Sequence, residues 1–87
     1  MTERRYVFHT DPGHAWLKVP VAEVEDAGIA VSRYSYRNAG YAYLEEDVDA
    51  VRFLNALKRA GIKYALTFVH SEGVSEIRGY SRYEEGA

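Results

Sequence analysis

A chain of 87 residues with eleven Lys/Arg against thirteen Asp/Glu, net charge −2, is long enough for one domain around one core. It lacks the basic field that broad phosphate-backbone binding needs. With no cysteine it can form no disulfide, thiolate zinc site or thiol nucleophile, and no apolar run approaches the ~20 residues that cross a bilayer.

Met1 to Arg5 is charged and runs straight into strand-like sequence, so no signal peptide is expected, and the reading is a cytoplasmic protein of a bacterial-type host cell. Residues 5–10 alternate, with Tyr6, Phe8 and Thr10 on one face and Val7 and His9 on the other, which predicts a strand. Asp11-Pro12-Gly13 is turn chemistry, and Ala15 to Val19 supplies the second arm of a hairpin. Pro20 suits the start of a helix in which Val21, Val24 and Ala27 recur at helical spacing and Gly28 ends the run.

Val31 to Arg37 and Tyr41 to Glu45 flank Asn38-Ala39-Gly40, read as a three-residue hairpin loop. That loop sets Arg37 against Tyr41, Tyr36 against Ala42, Ser35 against Tyr43, Tyr34 against Leu44 and Arg33 against Glu45. Tyr34, Tyr36, Ala42 and Leu44 then share one face, and Arg33, Arg37, Tyr41 and Tyr43 share the other with Ser35 and Glu45. Glu46 or Asp47 is expected to cap the main helix. Its apolar stripe is Ala50, Val51, Phe53, Leu54 and Leu57; Asp49, Arg52, Asn55 and Arg59 lie opposite, and Gly61 ends it. Lys63 to His70 predicts a strand, Ser71-Glu72-Gly73 a turn, and Val74 to Tyr80 a weaker strand, followed by a polar tail from Ser81 to Ala87 expected to fray. The expectation is a single α+β domain over residues 1–87, β-β-α-β-β-α-β-β, with an antiparallel sheet of five to six strands and two helices on one face.

Several clusters carry potential chemistry. His9, Asp11 and His14 stand around one turn. Two imidazoles and a carboxylate are a known metal-ligand set and could also serve acid/base catalysis in a small hydrolase or nuclease, while Asp before Pro-Gly is equally ordinary turn chemistry. Trp16, the only tryptophan, fits either a core or an interface anchor. Glu45, Glu46, Asp47 and Asp49 suit a helix N-terminus, and as a patch they could bind Mg²⁺ or meet a basic partner. Arg33 and Arg37 among Tyr41 and Tyr43 resemble a stacking platform for single-stranded nucleic acid, against which the overall acidity argues. There is no glycine-rich phosphate loop and no nucleophile elbow, so no catalytic residue is assigned and no cofactor is expected.

The string His9-Thr10-Asp11-Pro12-Gly13-His14-Ala15-Trp16-Leu17-Lys18-Val19-Pro20, followed by Ser32-Arg33-Tyr34-Ser35-Tyr36 and Tyr43-Leu44-Glu45-Glu46-Asp47-Val48-Asp49, resembles a family of small bacterial and phage-borne proteins of unknown function. The resemblance covers residues 6–60; members commonly have a cysteine where this chain has Val48 and a glycine where it has Ala15. It implies a setting of phages and mobile elements, whose small acidic proteins often bind host proteins, with CRISPR–Cas complexes and other defence machinery as typical targets. The expected function is therefore non-enzymatic: an accessory protein, of anti-CRISPR or other anti-defence type, that binds a host protein or protein complex. Its expected contact surface is Arg33, Arg37, Tyr41 and Tyr43 with Glu45, Glu46, Asp47, Asp49 and Trp16.

Overall fold

Alternating side chains at the start of the chain produce two strands, β1 (Arg4–Thr10) and β2 (Ala15–Pro20), in a computed structural model that describes residues 3–73 and 75–83. They pair antiparallel, Phe8 against Leu17 and His9 against Trp16, across the Asp-Pro-Gly turn. Pro20 stands at the N-cap of α1 (Val21–Ala27), where its missing N–H leaves no donor orphaned. Gly28 closes the helix in the left-handed region at φ 67°. Then follow β3 (Tyr36–Asn38), β4 (Tyr41–Glu45), α2 (Asp49–Arg59), β5 (Tyr64–His70), a 3₁₀ turn (Glu76–Gly79) and β6 (Ser81–Arg82). The protein is α+β, with one six-stranded sheet in the order β5-β1-β2-β4-β3-β6.

The sheet is mixed where an antiparallel one was expected, because β5 lies parallel to β1. The reason is the α2 crossover. A helix returns the chain to the end of the sheet where the preceding strand began, so β5 must run in the direction of β4. Since β1 and β4 both pair antiparallel with β2, that is also the direction of β1.

One face of the sheet carries the main core. Tyr6, Phe8, Leu17, Val19, Ala42 and Leu44 pack under Val24 of α1 and Ala50, Phe53 and Leu57 of α2. The Tyr6 hydroxyl donates to Glu23 on α1 at 2.6 Å, tying strand to helix; burial first, then that carboxylate, pushes the phenol up to about 12. Val51, assigned by spacing to the apolar stripe, is half exposed. Asp49, assigned to the solvent side of α2, is fully buried.

The β3–β4 hairpin departs from its expected register by one residue. Tyr36 faces Tyr43, Arg37 faces Ala42 and Asn38 faces Tyr41, so the loop is two residues, Ala39-Gly40. Both have positive φ, 52° and 86°, the pattern of a type I′ turn, whose twist matches that of paired strands. A shift of one residue exchanges the faces: Tyr36 leaves the helix side, and Arg37 joins it at the sheet margin with its guanidinium 5.2 Å from the Tyr83 ring. Residues 31–35 are not strand.

On the face opposite the helices, Trp16, Tyr36, Tyr43 and Ile77 form a second cluster, with Tyr80 packed against it. The segment from Ser75 to Arg82 covers it. A strand was expected over Val74 to Tyr80, but Glu76–Gly79 is a 3₁₀ turn capped by Ser75, whose hydroxyl accepts from the Ile77 N–H at 3.2 Å; Val74 lies outside the described residues. The expected fraying from Ser81 does not apply to residues 81–83. Ser81 and Arg82 pair with β3, and the Tyr83 N–H donates to the Ser35 carbonyl at 2.9 Å; residues 84–87 lie outside the described residues. No helix is long and apolar enough to cross a membrane among the described residues.

Candidate functional site: an aromatic-floored cleft

The Asp-Pro-Gly turn is built around a carboxylate that is already spent. Asp11 Oδ1 accepts the N–H groups of Gly13 and His14 at 3.0 and 2.9 Å, fixing the turn. Arg78 forks onto the same carboxylate, Nε to Oδ2 at 2.8 Å and Nη2 to Oδ1 at 2.9 Å, and the Ser75 N–H adds a bond of 3.0 Å. The guanidinium, supported by these N–H donors against burial, holds the Asp11 carboxyl well below the usual carboxylate range.

His9, Asp11 and His14 therefore do not assemble as ligands. His9 is on the sheet face beside Tyr43, ring centroids 6.2 Å apart, where burial first and the Lys18 ammonium second hold its imidazole below the ordinary histidine range. His14 is exposed and sits 5.8 Å from the Trp16 ring. Among the described residues no group of three His, Asp or Glu side chains could hold a metal ion.

Asp49 is equally committed. It accepts the Ser32 N–H at 3.0–3.1 Å, the Ser32 hydroxyl at 2.7 Å and the Ser35 hydroxyl, so it organises the turn before β3 from the first turn of α2. Ser35 Oγ in turn accepts the Glu45 N–H at 2.9 Å. The cap expected from Glu46 or Asp47 is absent: Val48 holds the N-cap position of α2 and no side chain caps the helix, while the Glu45 carboxylate accepts the N–H groups of Asp47 and Val48 at 2.9 and 3.0 Å and so shapes the turn that leads into it. Glu46 and Asp47 are left exposed.

The expected Arg/Tyr platform is also dispersed. Arg33 lies outside the strand, and its carbonyl accepts from Arg82 at 3.1 Å. Arg37 is on the helix side. Tyr41 and Tyr43 do share the other face, but Tyr43 is buried and Tyr41 lies under the Lys18 ammonium at 4.2 Å. Trp16, at 3% exposure, is a core indole rather than an exposed anchor. Glu45 faces Trp16 of β2 and does not pair with Arg33 across the hairpin.

The structure brings together a different set. A cleft of about 530 Å³ opens between the α2 entry and the segment that carries the 3₁₀ turn, with Trp16 and Tyr36 among its lining residues. Arg78 and Arg82 also line it, their guanidiniums 5.6 Å from the Trp16 ring and 4.7 Å from the Tyr36 ring. Glu45, Asp47, Val48, Tyr34 and His14 complete the lining. Tyr34 is 63% exposed and Val48 41%, so aromatic and apolar surface lies in water among acidic and basic lining residues. Trp16, Glu45 and Asp47 were identifiable by sequence reasoning. Tyr34, Val48, Arg78 and Arg82 were not, because no local pattern links residues near 34 to residues near 80. In comparisons with known proteins, the chain matches no family model, no curated protein and no solved structure.

Proposed function

We propose that the protein is a non-enzymatic accessory protein of a phage or mobile element that acts by binding a host protein, with defence machinery such as a CRISPR–Cas complex as the partner class. The setting rests on the sequence resemblance. Binding rather than chemistry is favoured by one contrast. The two carboxylates buried among the described residues, Asp11 and Asp49, spend their oxygens on internal donors, whereas Tyr34, Val48 and Asp47 stand in solvent along a cleft of about 530 Å³. An exposed aromatic next to a concave, water-accessible surface is the usual composition of a binding hot spot. The opposite charges of Asp47 and Arg82 within the lining would orient a partner segment.

Affinity capture from a phage-bearing host, read by mass spectrometry and then by titration of the recovered partner, tests the reading. Tyr34→Ala and Val48→Asp should each weaken partner binding about tenfold or more. Both positions are exposed, and Asp suits the N-cap position that Val48 holds on α2, so neither variant should lower the melting temperature appreciably. Charge reversal of Glu46 and Asp47 should weaken binding less. Undiminished binding by Tyr34→Ala and Val48→Asp would remove the cleft rim from the proposal.

A further inference from the structure

The two edges of the sheet are treated very differently. At one end β6 is two residues long and includes Arg82, a short and charged edge that discourages further pairing. At the other end β5 is seven residues long, Tyr-Ala-Leu-Thr-Phe-Val-His, with no lysine, arginine, acid or proline to block it. Phe68 and Val69 on it are 66% and 49% exposed, and Phe68 is stacked on Phe8 at 5.5 Å, which presents its other ring face outward.

The backbone of β5 alternates between two neighbours. The Arg4 N–H donates to the Lys63 carbonyl and the Ser71 N–H donates to the Thr10 carbonyl, which with the Arg4–Tyr64 to Thr10–His70 register directs the odd-numbered residues of β5 to β1. Tyr64, Leu66, Phe68 and His70 therefore aim their N–H and C=O groups away from the sheet. We infer that this edge pairs with β5 of a second copy of the chain, antiparallel about a twofold axis at Thr67, to make one continuous sheet.

Only registers that set even residues against even residues can satisfy those outward groups. Centring on Thr67 pairs Tyr64 with His70 and Leu66 with Phe68 of the second copy, and uses all four residues of each strand; centring on Leu66 or on Phe68 leaves a strand end unpaired. In the Thr67-centred register the exposed Phe68 ring gains an apolar neighbour in Leu66. On the opposite face Ala65 meets Val69, and Thr67 meets its own mate. No like charges are opposed, and just beyond the strands each exposed Lys63 falls within one residue of the exposed Glu72 of the other copy. A twofold arrangement uses each edge once and closes, which ends growth at the dimer.

The wild-type chain should sediment as a concentration-dependent dimer. The register can be read directly, because the chain contains no other thiol. Facing residues at a non-hydrogen-bonded position have Cα atoms about 4.5 Å apart, within the roughly 4.4–6.8 Å that a disulfide spans. Thr67→Cys should therefore convert to a covalent dimer in a glutathione redox buffer. Val69→Cys, which faces Ala65, should stay non-covalent. Phe68→Lys should raise the dimer dissociation constant about tenfold or more. A wild-type chain that remains monomeric at every concentration would overturn the inference. So would equal cross-linking of T67C and V69C, or a dimer unmoved by F68K.

Discussion

Asp11 and Asp49 show how one residue type, buried twice, does two different structural jobs. Asp49 receives three serine donors from a single turn, so its work is local: it shapes residues 32–35 and sets the entry into α2. Asp11 joins its own turn to Ser75 and Arg78, more than sixty residues later. Because the folded Asp11 carboxyl titrates below its unfolded value, its stabilisation is whole above about pH 4 and is lost as the pH falls through that value towards the folded one. The wild type should thus lose melting temperature between about pH 5 and pH 2 more steeply than Asp11→Asn. At neutral pH, Asp11→Asn should melt roughly 5–10 °C lower, since it leaves Arg78 without its counter-ion. Calorimetry across that pH range checks both. The Asp-Pro-Gly turn itself was legible in the sequence, because the side chain bonds to the N–H groups two and three residues on. Its guanidinium partner was not, because a pairing across that span has no local signature.

Among the elements, α2 was the most legible: Ala50, Phe53 and Leu57 repeat at helical spacing and all three are buried. The β3–β4 hairpin was legible as a hairpin but not in register. A glycine after Asn-Ala supports either a three-residue loop or a type I′ turn, and the difference is whether alanine accepts positive φ. Ala39 does so here at 52°, at a cost of about 1 kcal/mol relative to a residue suited to that region. Ala39→Asn should raise unfolding stability by about 0.5–1 kcal/mol, and chemical denaturation reads it directly. A loss of stability would show that the turn is not of this type. The one-residue shift also explains the candidate site. It carried Tyr36 under Arg82 and Arg37 away from Tyr41 and Tyr43, dissolving the platform that alternation had suggested and adding an aromatic residue to the cleft lining.

At the scale of the molecule, the sheet has two layers upon it, one helical and one made by the segment from Ser75 to Arg82. The class and order of elements followed from periodicity. The direction of β5 followed only from the crossover, and the second layer only from long-range packing of Ile77 and Tyr80. Arg78 holds that layer down, so Arg78→Ala should expose the Trp16 indole and shift its emission to longer wavelength. Hydrogen exchange in the β1–β5 ladder should stay slow in the same variant, because β5 binds β1 from the far edge. Global loss of protection would instead make the two layers one cooperative unit.

The fork between Asp11 and Arg78 has a consequence for synthesis. A ribosome releases the β1–β2 hairpin long before Arg78 exists, so the turn emerges with its acid facing solvent and the floor of Trp16 and Tyr36 uncovered. Helices and inner strands lie ahead of Ser75 in the chain and can gather before that segment emerges. The cleft, having Arg78 and Arg82 in its lining, can take shape only after residue 82 has cleared the exit tunnel. Residues 1–74 displayed beyond the tunnel on a linker should consequently carry the helical layer and be unable to engage anything through the cleft.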